Sequence, residues 1–154
     1  MTSVLFVCLG NICRSVAAEA VFTQCVAARS LQADFRADSA GLIDYHEGEL
    51  ADNRMRRAAA ERGLTLTHRS RPVTCTDFSR FDLIVAMDEA NVRGLESRRP
   101  QGNATPIVRL ADYLTAHASP TIPDPYYGTE ADFHHVLDLL FDACPNLLEE
   151  LLGK

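Results

Sequence analysis

Apolar and polar positions fall in short blocks along this chain, and the blocks predict strand, loop and helix in repeating order. Residues 3–7 form a β-branched and apolar run, and the polar, glycine-containing stretch 9–15 follows at once, as when a buried strand feeds a turn. From residue 16 to about 29 the spacing predicts a helix: Ala18, Val21, Phe22, Cys25 and Val26 share one face, and Ser15 is placed to cap the start. A second extended segment over residues 35–40 ends at Gly41, and Asp52 can cap a helix that stops at Gly63. Residues 81–86 and 105–110 read as third and fourth strands, with a short helix over 89–95 between them. Thr129 stands three residues before Asp132, a capping-box pattern that opens a last helix carrying Val136, Leu140, Leu147 and Leu151 near one face. Pro145 is expected to kink or split that helix.

Strands alternating with helices predict an α/β fold, a three-layer sandwich whose central four-stranded parallel sheet is flanked by helices. Ligands of such sheets bind at the carboxyl ends of the strands, and the loop after strand one lies there. No repeat or linker divides the chain, so residues 1–154 read as a single domain, with Arg98-Arg99 in a solvated surface loop over 97–102.

Composition narrows the function classes. With 47% hydrophobic and 23% charged residues the chain is globular in type. Its net charge of −6 is spread along the sequence, which argues against general attraction to nucleic acid or anionic membranes, so any phosphate must be held locally. Residues 1–15 lack a cationic start, and the apolar run 4–8 is far shorter than the ~20 residues of a spanning helix. A cytoplasmic location without membrane insertion is the expectation. Five cysteines, an odd number without a Cys-x-x-Cys pair, argue against a disulfide framework and a zinc knuckle.

The chemistry concentrates in residues 8–15, Cys8-Leu9-Gly10-Asn11-Ile12-Cys13-Arg14-Ser15. A thiol and a guanidinium stand six positions apart, and a helix starts directly afterwards. Such a loop aims several backbone N–H groups at one spot, and the helix dipole adds positive charge, so a phosphate dianion can be cradled there. The same field favours a thiolate at Cys8. Arg14 offers a planar fork for two phosphate oxygens. Taken alone, Cys8 would be a small apolar residue finishing a strand, and Asp124 in Pro-Asp-Pro an ordinary turn residue.

Residues 4–15 together with Asp124-Pro125-Tyr126-Tyr127-Gly128 resemble the two signature sites of the low-molecular-weight protein tyrosine phosphatase family. The resemblance extends to Ser39-Ala40-Gly41, His46, Gly48, His68-Arg69 and residues 81–91. It implies hydrolysis of phosphotyrosine and small aryl phosphates through a phosphocysteine on Cys8, with Asp124 as general acid and then base, and neither metal nor other cofactor. The implied partners are a phosphotyrosine-bearing protein, with a bacterial tyrosine kinase among the candidates, and inorganic phosphate as product.

By the same resemblance, Asn11, Ser15, Ser39 and His68 form a network holding the loop in shape. Leu9, Tyr45, Tyr126 and Tyr127 wall the substrate pocket, and the two tyrosines are phosphorylation sites. Cys13 matches a second loop cysteine that traps an oxidised Cys8 as a reversible disulfide. Cys25 and Cys144 are expected in the core, while Cys75 has no assigned role. The chain departs from the family at Tyr45, where a larger aromatic is common, at Leu42 and Ile43 on the expected pocket rim, and at Val16, where proline is usual. Two other readings are an arsenate reductase of the same fold, which needs two further mid-chain cysteines where only Cys75 stands, and a non-catalytic phosphotyrosine-binding module, which has no use for Asp124.

Overall fold

A computed structural model of the chain describes residues 1–153. Four strands, β1 (Thr2–Cys8), β2 (Phe35–Gly41), β3 (Leu83–Ala86) and β4 (Ile107–Arg109), form one parallel sheet in the order β2-β1-β3-β4. The helices are α1 (Arg14–Ala28), α2 (Asn53–Ala60), α3 (Asp77–Arg80), α4 (Glu89–Arg98) and α5 (Glu130–Leu152), with a 3-10 turn over Leu110–Tyr113. The expected four-stranded α/β sandwich is the observed one.

The two-residue period of β1 divides the core. Val4, Phe6 and Cys8 face α1, α2 and α5, while Leu5 and Val7 face Phe78 of α3 and Leu95 of α4. Both faces of β1 are therefore covered, and its run from Val4 reads as continuously apolar because every position after Thr2 is buried. β1 sits between β2 and β3, where the winding direction changes, so its carboxyl end at Cys8 opens onto the cleft expected of such sheets.

Several boundaries differ from the sequence reading. The first helix starts at Arg14, with Cys13 at its N-cap and no side-chain cap, so Ser15 lies inside the first turn. Its hydroxyl is drawn to the loop instead, as described below. Asp52 does cap α2, accepting from the Arg54 N–H, but regular helix ends at Ala60, and Gly63, at φ 79°, completes the turn that follows. β3 begins at Leu83 rather than 81, and β4 keeps only three residues because Leu110 already opens the 3-10 turn. α3 was not foreseen, since four residues are too few to show a period.

Pro145 does not split α5, which runs unbroken from a capping box at Thr129 and Asp132. Buried residues on both sides of the proline, from Val136 to Cys144 and then Leu147 and Leu148, hold the helix against α1. Arg98 and Arg99 are not free in a solvated loop. Arg98 ends α4 and donates to the Leu42 carbonyl at 2.9 Å, while Arg99 stacks over Phe78 and donates to the Thr105 carbonyl at 2.8 Å. Cys144 is fully buried as expected, but Cys25 is only half-buried and Cys75 is exposed. Among the described residues no helix is long and apolar enough to cross a membrane.

Gly41 shows why β2 ends where it does. A Cβ there would lie 2.9 Å from the Leu9 carbonyl oxygen and 3.1 Å from the Gly10 carbonyl carbon, both backbone atoms with no freedom to swing aside. Gly41→Ala is expected to lower stability by about 1–3 kcal/mol through this overpacking. Its urea unfolding midpoint against wild type checks this, and an unchanged midpoint refutes the close approach.

Candidate active site

The residues leaving β1 turn their carbonyls outward. The Cys8 carbonyl accepts from Leu42 N, Leu9 from Leu42 N and Ile43 N, Ile12 from Asp52 N and Cys13 from Ala17 N. The Gly10 carbonyl accepts from the Ser70 hydroxyl at 3.0 Å. The N–H groups of Gly10, Asn11, Ile12 and Cys13 make no hydrogen bond among the described residues. Paired acceptors and unpaired donors, ending at the first turn of α1, make this loop a candidate anion site.

Asn11 makes this curvature possible and bears its cost. Its φ of 56° is left-handed, a strained choice for a residue with a side chain, held because the side chain is anchored at both ends. Oδ1 accepts from the Arg71 backbone N–H at 3.0 Å, which fixes the amide orientation, since that donor cannot be exchanged for an acceptor. Nδ2 then donates to the Ser15 hydroxyl at 2.8 Å. With its oxygen accepting there, Ser15 has its own proton available for Cys8 Sγ, 3.1 Å away. His68 Nε2 lies 2.9 Å from Asn11 Oδ1, so it must carry a proton, and Nδ1 is left as the nitrogen that titrates.

Behind His68 stand two acids. Glu19 Oε1 and Asp38 Oδ1 each lie 3.4 Å from Nδ1. Burial pushes the Glu19 carboxyl up to about 7; the hydrogen bond from Ser39 opposes this, Asp38 reinforces it and Arg71 opposes it. Burial also depresses His68, against Asp38 and with Arg71. Ser39 was expected to support the loop itself, but its hydroxyl reaches only Glu19, at 2.7 Å, so it acts at one remove. Glu19, Asp38 and Arg71 were missed. The first two lie on elements assigned to core and sheet, and the pairing of Arg71 with Asp38 and Asp77 exists only in three dimensions.

Arg14 is almost fully buried. Nη1 donates to Asp88 Oδ2 at 2.8 Å and to the Ile122 carbonyl at 3.0 Å, while Nη2 lies 3.7 Å from Asp124 Oδ2. Burial alone would lower its pKa, but the Cys8 sulfur, Asp88 and Asp124 outweigh it and raise it. Asp88 was also missed; it both caps α4 through Asn91 N and orients the guanidinium. Asp124 is held by the Tyr126 N–H at 3.1 Å and remains open to solvent.

A cleft of about 290 Å³ gathers Cys8, Leu9, Gly10, Ile12, Cys13 and Arg14 below, with Asp124, Tyr45, His46, Tyr126 and Tyr127 around the mouth. Asn11, Ser15, Ser39 and His68 lie behind it rather than in it. Tyr45 and Tyr127 stand largely in solvent, at 80% and 96% exposure, and form exposed edges rather than packed walls. Tyr126 is half-buried, with Arg54 5.4 Å over its ring. Ile43 lines the cleft, but Leu42 does not; it packs toward α4, where a Cβ on Gly94 would come within 2.7 Å of it.

The Glu19 carboxyl has a consequence for stability. Unfolded, it titrates near 4.5, and folded near 7, so the native state holds the proton more tightly. Its contribution is therefore fully present below about 4.5 and is lost as pH rises through 7, by at most about 3 kcal/mol. Urea midpoints at pH 5 and pH 8 are expected to show Glu19→Gln gaining on wild type at the higher pH. An equal difference at both pH values refutes the assignment.

The low molecular weight phosphotyrosine protein phosphatase model matches residues 3–154. A putative low molecular weight protein-tyrosine-phosphatase of Synechocystis is 45% identical over 151 residues, 97% of this chain and 96% of its own. The low molecular weight phosphotyrosine protein phosphatase of Gallus gallus is 40% identical, over 96% of this chain and 94% of its own. A crystal structure of the Entamoeba histolytica protein tyrosine phosphatase superposes with a TM-score of 0.96 at 45% identity, over 99% of this chain and 98% of that one.

Proposed function

The chain belongs to the low molecular weight phosphotyrosine protein phosphatase family and is a hydrolase, and on that premise we propose how its own residues carry the reaction. The unpaired N–H groups of Gly10, Ile12 and Cys13, residues that line the same cleft as Cys8 and Arg14, are the observation that carries the proposal. These amides and Arg14 hold the phosphoryl group of a phosphotyrosine side chain, whose ring lies between Tyr126 and the Tyr45 edge.

The Cys8 sulfur, attacking as its thiolate, forms a bond to phosphorus while the bond to the phenolic oxygen breaks. Asp124 delivers a proton to that oxygen, which leaves as tyrosine. In the second step water attacks phosphorus, Asp124 takes its proton, and the S–P bond breaks to release inorganic phosphate and the thiolate. The Ser15 hydroxyl, already pointed at the sulfur, stabilises the negative charge in both resting and departing states. Asp88 keeps Arg14 aimed without filling the donors on its Nη2 side.

Cys13 shares the cleft, and burial first, then Asp52, Cys8 and Asp124, push its thiol far above the ordinary value. It is therefore the neutral partner: peroxide oxidises Cys8 to the sulfenic acid, and the Cys13 thiol condenses with it to a disulfide, releasing water. The proposed partners are phosphotyrosine proteins, a bacterial tyrosine kinase among them, and the proposed location is the cytoplasm. The arsenate-reductase reading lacks its cysteine pair, since Cys75 alone lies in mid-chain. A binding module would not need an exposed carboxyl 3.7 Å from the phosphate-holding arginine.

Hydrolysis of a chromogenic aryl phosphate without added metal tests the assignment. Cys8→Ser is expected to be inactive, and Asp124→Ala to lose roughly 10²–10⁴-fold in kcat while still binding vanadate. Full activity in Cys8→Ser would remove the proposal.

A further inference from the structure

Beside the cleft at Cys8 lies a second one of about 390 Å³, and the two share Ile12, His46 and Tyr126. The imidazole and phenol rings, 6.4 Å apart, form the ridge between them, so a chain seated in the first cleft has a path into the second. The second cleft carries two arginines that no acid among the described residues pairs. Arg56 and Arg69 line it, and among the described residues neither lies within ion-pair distance of a carboxylate. Arg56 bonds only to the Ala51 carbonyl and the Asn53 side chain, and Arg69 only to the Gly48 carbonyl, at 2.8 Å.

Two acids face the same space. Asp52 is neutralised by Arg54, which grips both of its oxygens at 2.9 and 3.1 Å. Glu49 stands at the rim, largely in solvent, 3.4 Å from His46 Nδ1. Two guanidiniums thus face one exposed carboxylate in a chain whose net charge is −6. Unsatisfied guanidinium forks are matched by carboxylates, which accept two parallel N–H bonds.

We propose that this second cleft is a specificity subsite, in which Arg56 and Arg69 bind an acidic side chain flanking the phosphotyrosine of a substrate protein. The subsite rests on the reading that the Cys8 cleft takes phosphotyrosine, and it adds to that reading a preference among substrates. A small aryl phosphate is too short to cross the His46–Tyr126 ridge, so its hydrolysis reports the first cleft alone.

Phosphotyrosine peptides carrying two glutamates before or after the tyrosine, and the same peptides with alanines, test this by phosphate release. Wild type is expected to favour one acidic peptide over its alanine counterpart by roughly tenfold in kcat/KM. In Arg56→Gln/Arg69→Gln the ratio is expected to fall to about one, with each rate normalised to aryl phosphate hydrolysis by the same preparation, and 0.5 M salt is expected to weaken the wild-type preference. The single variant Arg56→Gln should give an intermediate ratio, and its normalised rates keep the test valid if the double variant folds poorly. Equal wild-type rates on acidic and alanine peptides, or a preference retained in the double variant, would overturn the subsite alone. Hydrolysis of neither phosphopeptide nor aryl phosphate by wild type would instead overturn the reading of the Cys8 cleft.

Discussion

The site depends on one side-chain amide. Asn11 occupies a left-handed backbone position that only its own hydrogen bonds sustain, and those bonds all run one way. The Arg71 N–H and His68 donate into its oxygen, its nitrogen donates to Ser15, and Ser15 is left with a proton for the sulfur. Replacing any link by a group of reversed polarity would leave a buried donor or acceptor without a partner. The same chain that shapes the loop therefore also fixes the polarity of what touches Cys8.

The loop's inward amides are a by-product of how its carbonyls are satisfied. The paired carbonyls are met by four other parts of the chain: the residues after β2, Ser70, the entry to α2, and α1 itself. Four elements thus converge on eight residues, and β2 must come close enough that Gly41 tolerates no side chain. Buried backbone groups have to be paired, and pairing only the acceptors leaves the donors for an anion.

Charge is arranged in two tiers. Arg14, buried between Asp88 and Asp124, is tethered on one side and open on the other. Glu19, His68 and Asp38 form a second tier behind the loop, where burial makes the ionised carboxyl expensive and the proton is held within the group. Around the mouth, Tyr45 and Tyr127 give exposed aromatic edges, and beyond the His46–Tyr126 ridge stand Arg56 and Arg69.

The sequence alone determined the strand, loop and helix order, because burial on both faces of β1 and capping at Asp52 and Thr129 leave local marks. It also marked the candidate anion loop, since Cys8, Gly10, Arg14 and the following helix are contiguous. Boundaries set by three-dimensional partners were not legible: Ser15 reads as a cap until Asn11 and Cys8 claim its hydroxyl, and Pro145 reads as a break until the packing of α5 on α1 outweighs it. Asp88, Glu19 and Arg71 came only from the tertiary structure. Each acts through a partner 33 or more positions away, across elements whose own patterns carry no trace of the contact, because an ion pair or hydrogen bond leaves no period in the sequence.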